Sequence, residues 1–157
     1  MDEPLSIIGN PALIAMPFKA FLSSRKASQK AAARCVVWAA EARDGDAPVA
    51  LGAQSELEKD VFKVLIGGSV PVVLVLARGI WDDVPVYLRQ PIGEGRLAVV
   101  SPMKRTVVRV TRDSAAARNL WLMRHASEIV FGTLDSHGSL VRLMGTLPPK
   151  PFRVLAD

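Results

Sequence analysis

The residues best suited to chemistry in this chain are Ser23, Ser24, Arg25, Lys26 and Ser28, which follow the apolar stretch Phe18-Lys19-Ala20-Phe21-Leu22. The stretch reads as a short buried strand that turns through Ser-Ser-Arg-Lys into a helix over 29–43. Such a turn aims backbone N–H groups with no intrahelical partner, and the positive end of the helix dipole, at one spot. That spot suits a phosphate, to which Arg25 and Lys26 would add full charges. The same spacing fits an ordinary strand–helix connection, with Ser28 as N-cap and two solvated cations. It is neither a complete dinucleotide-binding glycine fingerprint nor a Walker loop, so both readings stand on spacing alone.

Other chemistry is thinner. His125 and His137 are the two histidines, and no cysteine or carboxylate lies around them at metal-ligand spacing, so no metal is expected. Asp135-Ser136-His137 are neighbours in sequence, whereas a catalytic triad needs geometry. Cys35 falls on the apolar stripe of its helix and reads as core, not nucleophile. His125 beside Arg124 reads as a partner of a helix C-terminus. Trp81 and Trp121 are open to two roles, base stacking or core packing. No catalytic residue and no cofactor emerges.

The elements that must position these residues follow from hydrophobic patterning. Residues 6–14 form a lead-in, in which Pro11 opens a short helix behind Asn10 and Pro17 stops it. Helix 29–43 carries Ala31, Ala32, Cys35, Val36, Ala39 and Ala40 on one side. A short strand over 49–52 follows the turn 44–48. Ser55 caps the next helix, with Glu58 three residues on as in a capping box. The β-branched run 70–76 lacks alternation, the mark of a strand covered on both faces. A proline-rich connection over 81–95 holds a short helix near 84–89. Strand 96–100 closes at Ser101-Pro102, and 103–112 fits loop and strand equally. A helix over 114–125 precedes a strand over 128–131, then a short helix and a final strand at 152–155.

Strands alternating with helices predict an α/β protein. It would be a Rossmann-like three-layer sandwich with an open, mainly parallel sheet of about five to six strands. Ligands of such sheets bind beyond the carboxyl ends of the strands, where strand order reverses. The polar groups assigned to those ends are Ser23, Ser24 and Arg25, then Gln54, Ser55 and Glu56, then Arg78 and Gly79, and finally Ser101. They are expected to converge on one mostly positive crevice with Glu56 and Glu58 nearby.

Composition sets the outer bounds. The chain has 157 residues, half of them hydrophobic, which predicts one domain with a sizeable core and excludes a mainly disordered chain. The longest apolar run, 70–77, is too short to cross a bilayer, so no membrane partner is expected. An acidic start, Met1-Asp2-Glu3-Pro4, and a single cysteine predict a cytoplasmic protein without disulfides. A net charge of +5 favours an anionic partner, a nucleotide or single-stranded DNA. A homodimer stays open.

Several of these motifs together resemble the DNA-processing protein A (DprA/Smf) group of Rossmann-like proteins, and more closely its short stand-alone relatives. Ile8-Gly9-Asn10-Pro11 is similar to the family's Gly-Asp-Pro opening, and Phe21 to Ser28 to its Gly-Ser-Arg-Lys-Ala-Ser loop. Arg118-Asn119 matches an Arg-Asn pair, and Gly138-Ser139-Leu140 a Gly-Ser-Leu turn. The resemblance spans roughly residues 8–145. It implies a Rossmann-like fold that binds single-stranded DNA or a nucleotide in DNA processing or uptake. It adds Arg118, Asn119, Gly138 and Ser139 to the expected phosphate-binding set of Ser23, Ser24, Arg25, Lys26, Ser28, Gln54, Ser55, Arg78 and Gly79.

The chain departs from that pattern at four places. Ser23 stands where the family has glycine, Leu51-Gly52-Ala53-Gln54 replaces an arginine-bearing turn, Leu120 replaces a second arginine, and little chain follows Leu140. These departures keep a non-catalytic interaction module in view. Lysine-decarboxylase-like phosphoribohydrolases share the fold type, and their Pro-Gly-Gly-x-Gly-Thr-x-x-Glu signature finds a partial echo in Gly132-Thr133. The Gly-Gly and glutamate are missing there. Glu58 is the one substitute carboxylate, and its place in a capping box argues for a structural role.

Overall fold

The computed structural model describes residues 5–24 and 27–156. Among these, seven strands form one sheet: β1 (Ser6–Gly9), β2 (Lys19–Leu22), β3 (Val49–Leu51), β4 (Val72–Val75), β5 (Leu97–Ser101), β6 (Glu128–Phe131) and β7 (Phe152–Val154). Their spatial order is β1-β5-β4-β3-β2-β6-β7, and every pairing is parallel except β1 with β5. The chain leaves β2 towards β3 on one side and returns as β6 on the other. Strand order therefore reverses around β2, and the loop expected to bind phosphate leaves its carboxyl end.

Helices cover both faces. The long ones are α2 (Gln29–Ala42), α3 (Glu56–Ile66) and α5 (Arg112–His125); α1 (Ala12–Ala15), α4 (Arg89–Gly93) and α6 (Ser139–Met144) are short. Alternate strand residues feed two separate cores. Phe21, Leu51, Leu74 and Val99 point to α2 and α3, where Cys35, Trp38, Phe62 and Leu65 meet them. Leu22, Ala50, Val73 and Val100 point the other way, onto Leu122 and Met123 of α5, Leu13 of α1 and Leu140 of α6. This two-sided burial explains why β4 reads as an unbroken apolar run.

Three expectations need correction. The lead-in contains a strand: β1 pairs antiparallel with β5, Ser6 opposite Ser101 and Gly9 opposite Ala98, so the sheet has seven strands rather than about five to six. Gly9 ends that strand at φ 98°, and a Cβ there would lie 2.5 Å from the Leu97 carbonyl oxygen, so only glycine fits. On α2, Ala40 faces solvent and Trp38 is buried, its ring stacked on Phe21 with centroids 5.3 Å apart. Segment 103–111 forms no strand, and α5 begins at Arg112, two residues before the expected Ser114. The reason is a capping box: the Thr111 hydroxyl accepts from the Ser114 N–H at 3.0 Å, and the Ser114 hydroxyl accepts from the Thr111 N–H at 2.8 Å.

Candidate anion-binding cleft

A cleft of about 360 Å³ opens at the carboxyl ends of β2 and β3, where strand order reverses. Ser23 and Ser24 enter it from the end of β2, Gln54, Ser55 and Glu58 from the end of β3, Arg118 and Asn119 from α5, and Ser139 from α6. Seven of the residues expected to bind phosphate, with Glu58 beside them, thus share one wall or another of this cleft.

The loop after β2 is tied to the loop after β6. The Ser23 hydroxyl lies 3.1 Å from the Thr133 hydroxyl and accepts from the Thr133 N–H at 3.1 Å. The Ser24 N–H donates to the Thr133 carbonyl at 3.1 Å, and the Ser24 hydroxyl accepts from the Asp135 N–H at 2.9 Å. Gly132 makes the close approach feasible, because a Cβ there would meet the Cys35 sulfur at 2.8 Å and the Ser23 hydroxyl at 2.9 Å. Ser23 therefore acts through Thr133, as part of a clamp between adjacent strand ends.

Arg118 supplies the fixed charge. It is 3% exposed, its Nε donates to the Asn119 side-chain oxygen at 2.8 Å, and one terminal nitrogen donates to the Val75 carbonyl at 3.4 Å. Burial pulls its pKa down from the ordinary value, and the carboxylate of Glu58 pushes it back up. Glu58, 6% exposed, is occupied as a cap. Its Oε1 accepts from the Ser55 N–H at 3.0 Å and the Gln54 N–H at 3.3 Å, while the Ser55 hydroxyl accepts from the Glu58 N–H at 3.1 Å. The expected capping box is thus formed, and it holds Gln54 and Ser55 at the cleft.

The remaining expected site residues lie elsewhere. Arg25 and Lys26 fall outside the described residues. Ser28 caps α2, its hydroxyl accepting from the Ala31 N–H at 3.1 Å, and does not line the cleft. Gly138 is the N-cap of α6 and leaves the wall to Ser139. Arg78 faces a second cleft, its Nε donating to the Gly79 carbonyl at 3.1 Å. Gly79 is buried beneath segment 104–107: its N–H donates to the Val107 carbonyl at 2.7 Å, and a Cβ would lie 2.7 Å from the Arg105 Cα. Ser101 ties that region together by donating to the Arg78 carbonyl and accepting from the Met103 N–H at 3.1 Å.

Sequence reasoning missed Arg112, which lines the first cleft from the first turn of α5. The Thr111-x-x-Ser114 spacing was the available signal. Cys35 is buried, as its stripe position implies, and burial raises its thiol pKa. Trp121 stacks on Phe18 with centroids 6.2 Å apart and meets the His125 ring at 4.6 Å, tilted by 39°. Among the described residues, no group of three or more His, Cys, Asp or Glu side chains is placed to hold a metal, and no helix is long and apolar enough to cross a membrane. A buried guanidinium with hydroxyl and amide groups around it suits a phosphate or another oxyanion.

The fold and cleft define a Rossmann-like α/β protein with an oxyanion-suited crevice at its topological switch point. Its fold is that of DNA processing protein A. The protein of that name from Helicobacter pylori, characterised for a distinctive single-stranded DNA binding mode, superposes with a TM-score of 0.73 at 16% identity, over 98% of this chain and 74% of that one. The Streptococcus pneumoniae protein gives a TM-score of 0.69 at 13% identity, over 90% of this chain and half of that one. No family model matches the sequence, and no curated protein does. At such identities the likeness carries the fold, in agreement with the sequence resemblance.

Proposed function

We propose that this chain binds the phosphate backbone of single-stranded DNA in the cleft at the carboxyl ends of β2 and β3. The observation that carries this reading is the placement of Arg118, buried and immobilised, among Ser24, Ser55, Asn119 and Ser139, with Arg112 at the rim. A fixed guanidinium loses little conformational freedom when it grips a phosphate, and it offers several donors to one oxyanion. The Helicobacter pylori protein of the same fold binds single-stranded DNA. A net charge of +5 adds long-range attraction for a polyanion.

A phosphate-bearing mononucleotide fits the same chemistry, and length dependence separates the two. Fluorescence anisotropy of a labelled oligothymidine, measured from low to moderate salt, should give an affinity that falls steeply with salt as counterions are released. Arg112→Ala should lower both the affinity and the salt slope. No binding at low salt sinks the DNA reading. Equal affinity for an oligonucleotide and a mononucleotide would restrict the cleft to the smaller ligand.

A further inference from the structure

A second cleft, of about 490 Å³, adjoins the first through Gln54, which lines both. Its floor is apolar, formed by Phe62 of α3 with Leu74 and Leu76 at the end of β4. Two aromatic side chains, Trp81 and Tyr87, stand on the wall contributed by the proline-rich connection. Among the described residues that line it, Lys59, Lys63 and Arg78 carry the formal charges and none is a carboxylate, so the lining is cationic. Lys59 has a carboxylate partner, Glu56, at 3.6 Å. The Lys63 ammonium makes no hydrogen bond or ion pair among the described residues. Tyr87 is 73% exposed, and Val110 adds another exposed apolar side chain to the lining.

An apolar floor excludes a bare oxyanion, and a cationic rim disfavours a plain hydrocarbon. What satisfies both is a flat aromatic ring that carries a negative charge on one side. We propose that this cleft is a base-binding subsite. It takes a nucleobase against Phe62, Trp81 and Tyr87 and sets the adjoining phosphate on Lys63 and Arg78. The Gln54 amide, which can donate and accept, stands at the junction to meet a base edge or the sugar. The inference rests on the reading of the first cleft only for continuity: a strand with phosphates on Arg118 would place a neighbouring base here. Stacking tolerates any base, so this subsite adds affinity without strong sequence preference.

Adenosine 5′-monophosphate is the direct probe, and ribose 5-phosphate the control without a base. Of the three tryptophans, Trp38 is buried and Trp121 packs on Phe18, which leaves Trp81 as the cleft-lining reporter. Adenosine 5′-monophosphate should quench tryptophan emission and ribose 5-phosphate should not. Tyr87→Ala and Lys63→Glu, both at exposed positions, should each weaken the nucleotide about tenfold. Arg112→Ala, in the first cleft, should weaken an oligothymidine. Unchanged nucleotide affinity in both Tyr87→Ala and Lys63→Glu overturns the subsite, as does equal binding of ribose 5-phosphate. Capture of an apolar helical peptide in place of the nucleotide also overturns it. If the nucleotide binds as described but the oligothymidine ignores Arg112→Ala, the first-cleft reading fails and the subsite stands.

Discussion

The guanidinium of Arg118 occupies the space that a Cβ on Gly52 would need. Gly52 directly follows the short β3 strand, and Arg118 reaches across it from α5, a contact between residues far apart in sequence. The turn at Gly52 therefore has a positive charge above it, delivered from α5. Ala53, the next residue, adopts φ 48°, a left-handed conformation unusual outside glycine, which marks how tightly the turn is folded under that side chain.

Gly52→Ala tests this relationship. The colliding atoms are the far end of a long side chain, so the arginine can swing aside and the fold should lose only about 1–3 kcal/mol. The displaced guanidinium no longer points where Asn119 and Val75 hold it. Oligonucleotide affinity should fall about tenfold or more, a larger effect than the melting temperature suggests. Affinity equal to wild type would show that Arg118 is a structural arginine.

Glu58 separates a structural carboxylate from a catalytic one. Glu58→Ala removes the acceptor of two backbone N–H groups and the countercharge of buried Arg118, and should cost roughly 1–3 kcal/mol of stability. Glu58→Gln keeps an acceptor oxygen in place and should recover much of the capping contribution. Release of base from a nucleoside monophosphate by the wild type, lost in Glu58→Gln, would instead make this residue part of an enzyme.

Cys35 carries a pH signature. Burial holds its folded-state pKa above the ordinary 9.0. The unfolded thiol therefore ionises first as pH rises. The protecting contribution is complete below pH 9, and between the two pKa values it declines by at most about 1.4 kcal/mol per pH unit. Denaturant titrations of wild type and Cys35→Ala should converge or cross as pH is raised through this window. A difference that is constant with pH would show the thiol ionises equally in both states.

How much of this was legible depended on the range of the interaction. The strands β2, β4 and β6 were visible because burial on both faces writes itself as consecutive apolar residues, as in Val72–Val75. The caps at Ser28 and Ser55 were visible because their partners lie three residues away. Strand β1 was hidden, since it is only four residues long, half-buried, and followed by Gly9-Asn10-Pro11. That Arg78 and Gly79 do not line the cleft of Ser23 and Ser24 was illegible for a different reason. A position at a strand end does not say which cleft a side chain enters. Gly79 lies beneath segment 104–107, which has no pattern of its own. Arg118 could be matched to a motif, but its burial against Gly52 exists only in three dimensions.

Ser23 gives the last prediction, because the sequence there departs from glycine. The substitution is compensated locally: the hydroxyl accepts from the buried Thr133 N–H and bonds the Thr133 hydroxyl, joining the end of β2 to that of β6. Ser23→Gly would introduce the glycine of the pattern that the sequence resembles while leaving the Thr133 N–H without its acceptor. A buried donor stripped of its partner costs about 1–3 kcal/mol, and glycine adds backbone entropy to the unfolded chain. The melting temperature should therefore fall, and amide exchange at Thr133 and Asp135 should quicken relative to the centre of β6. If the glycine variant is as stable as wild type with unchanged exchange, the serine clamp contributes nothing and the strand ends are held by their backbone ladder alone.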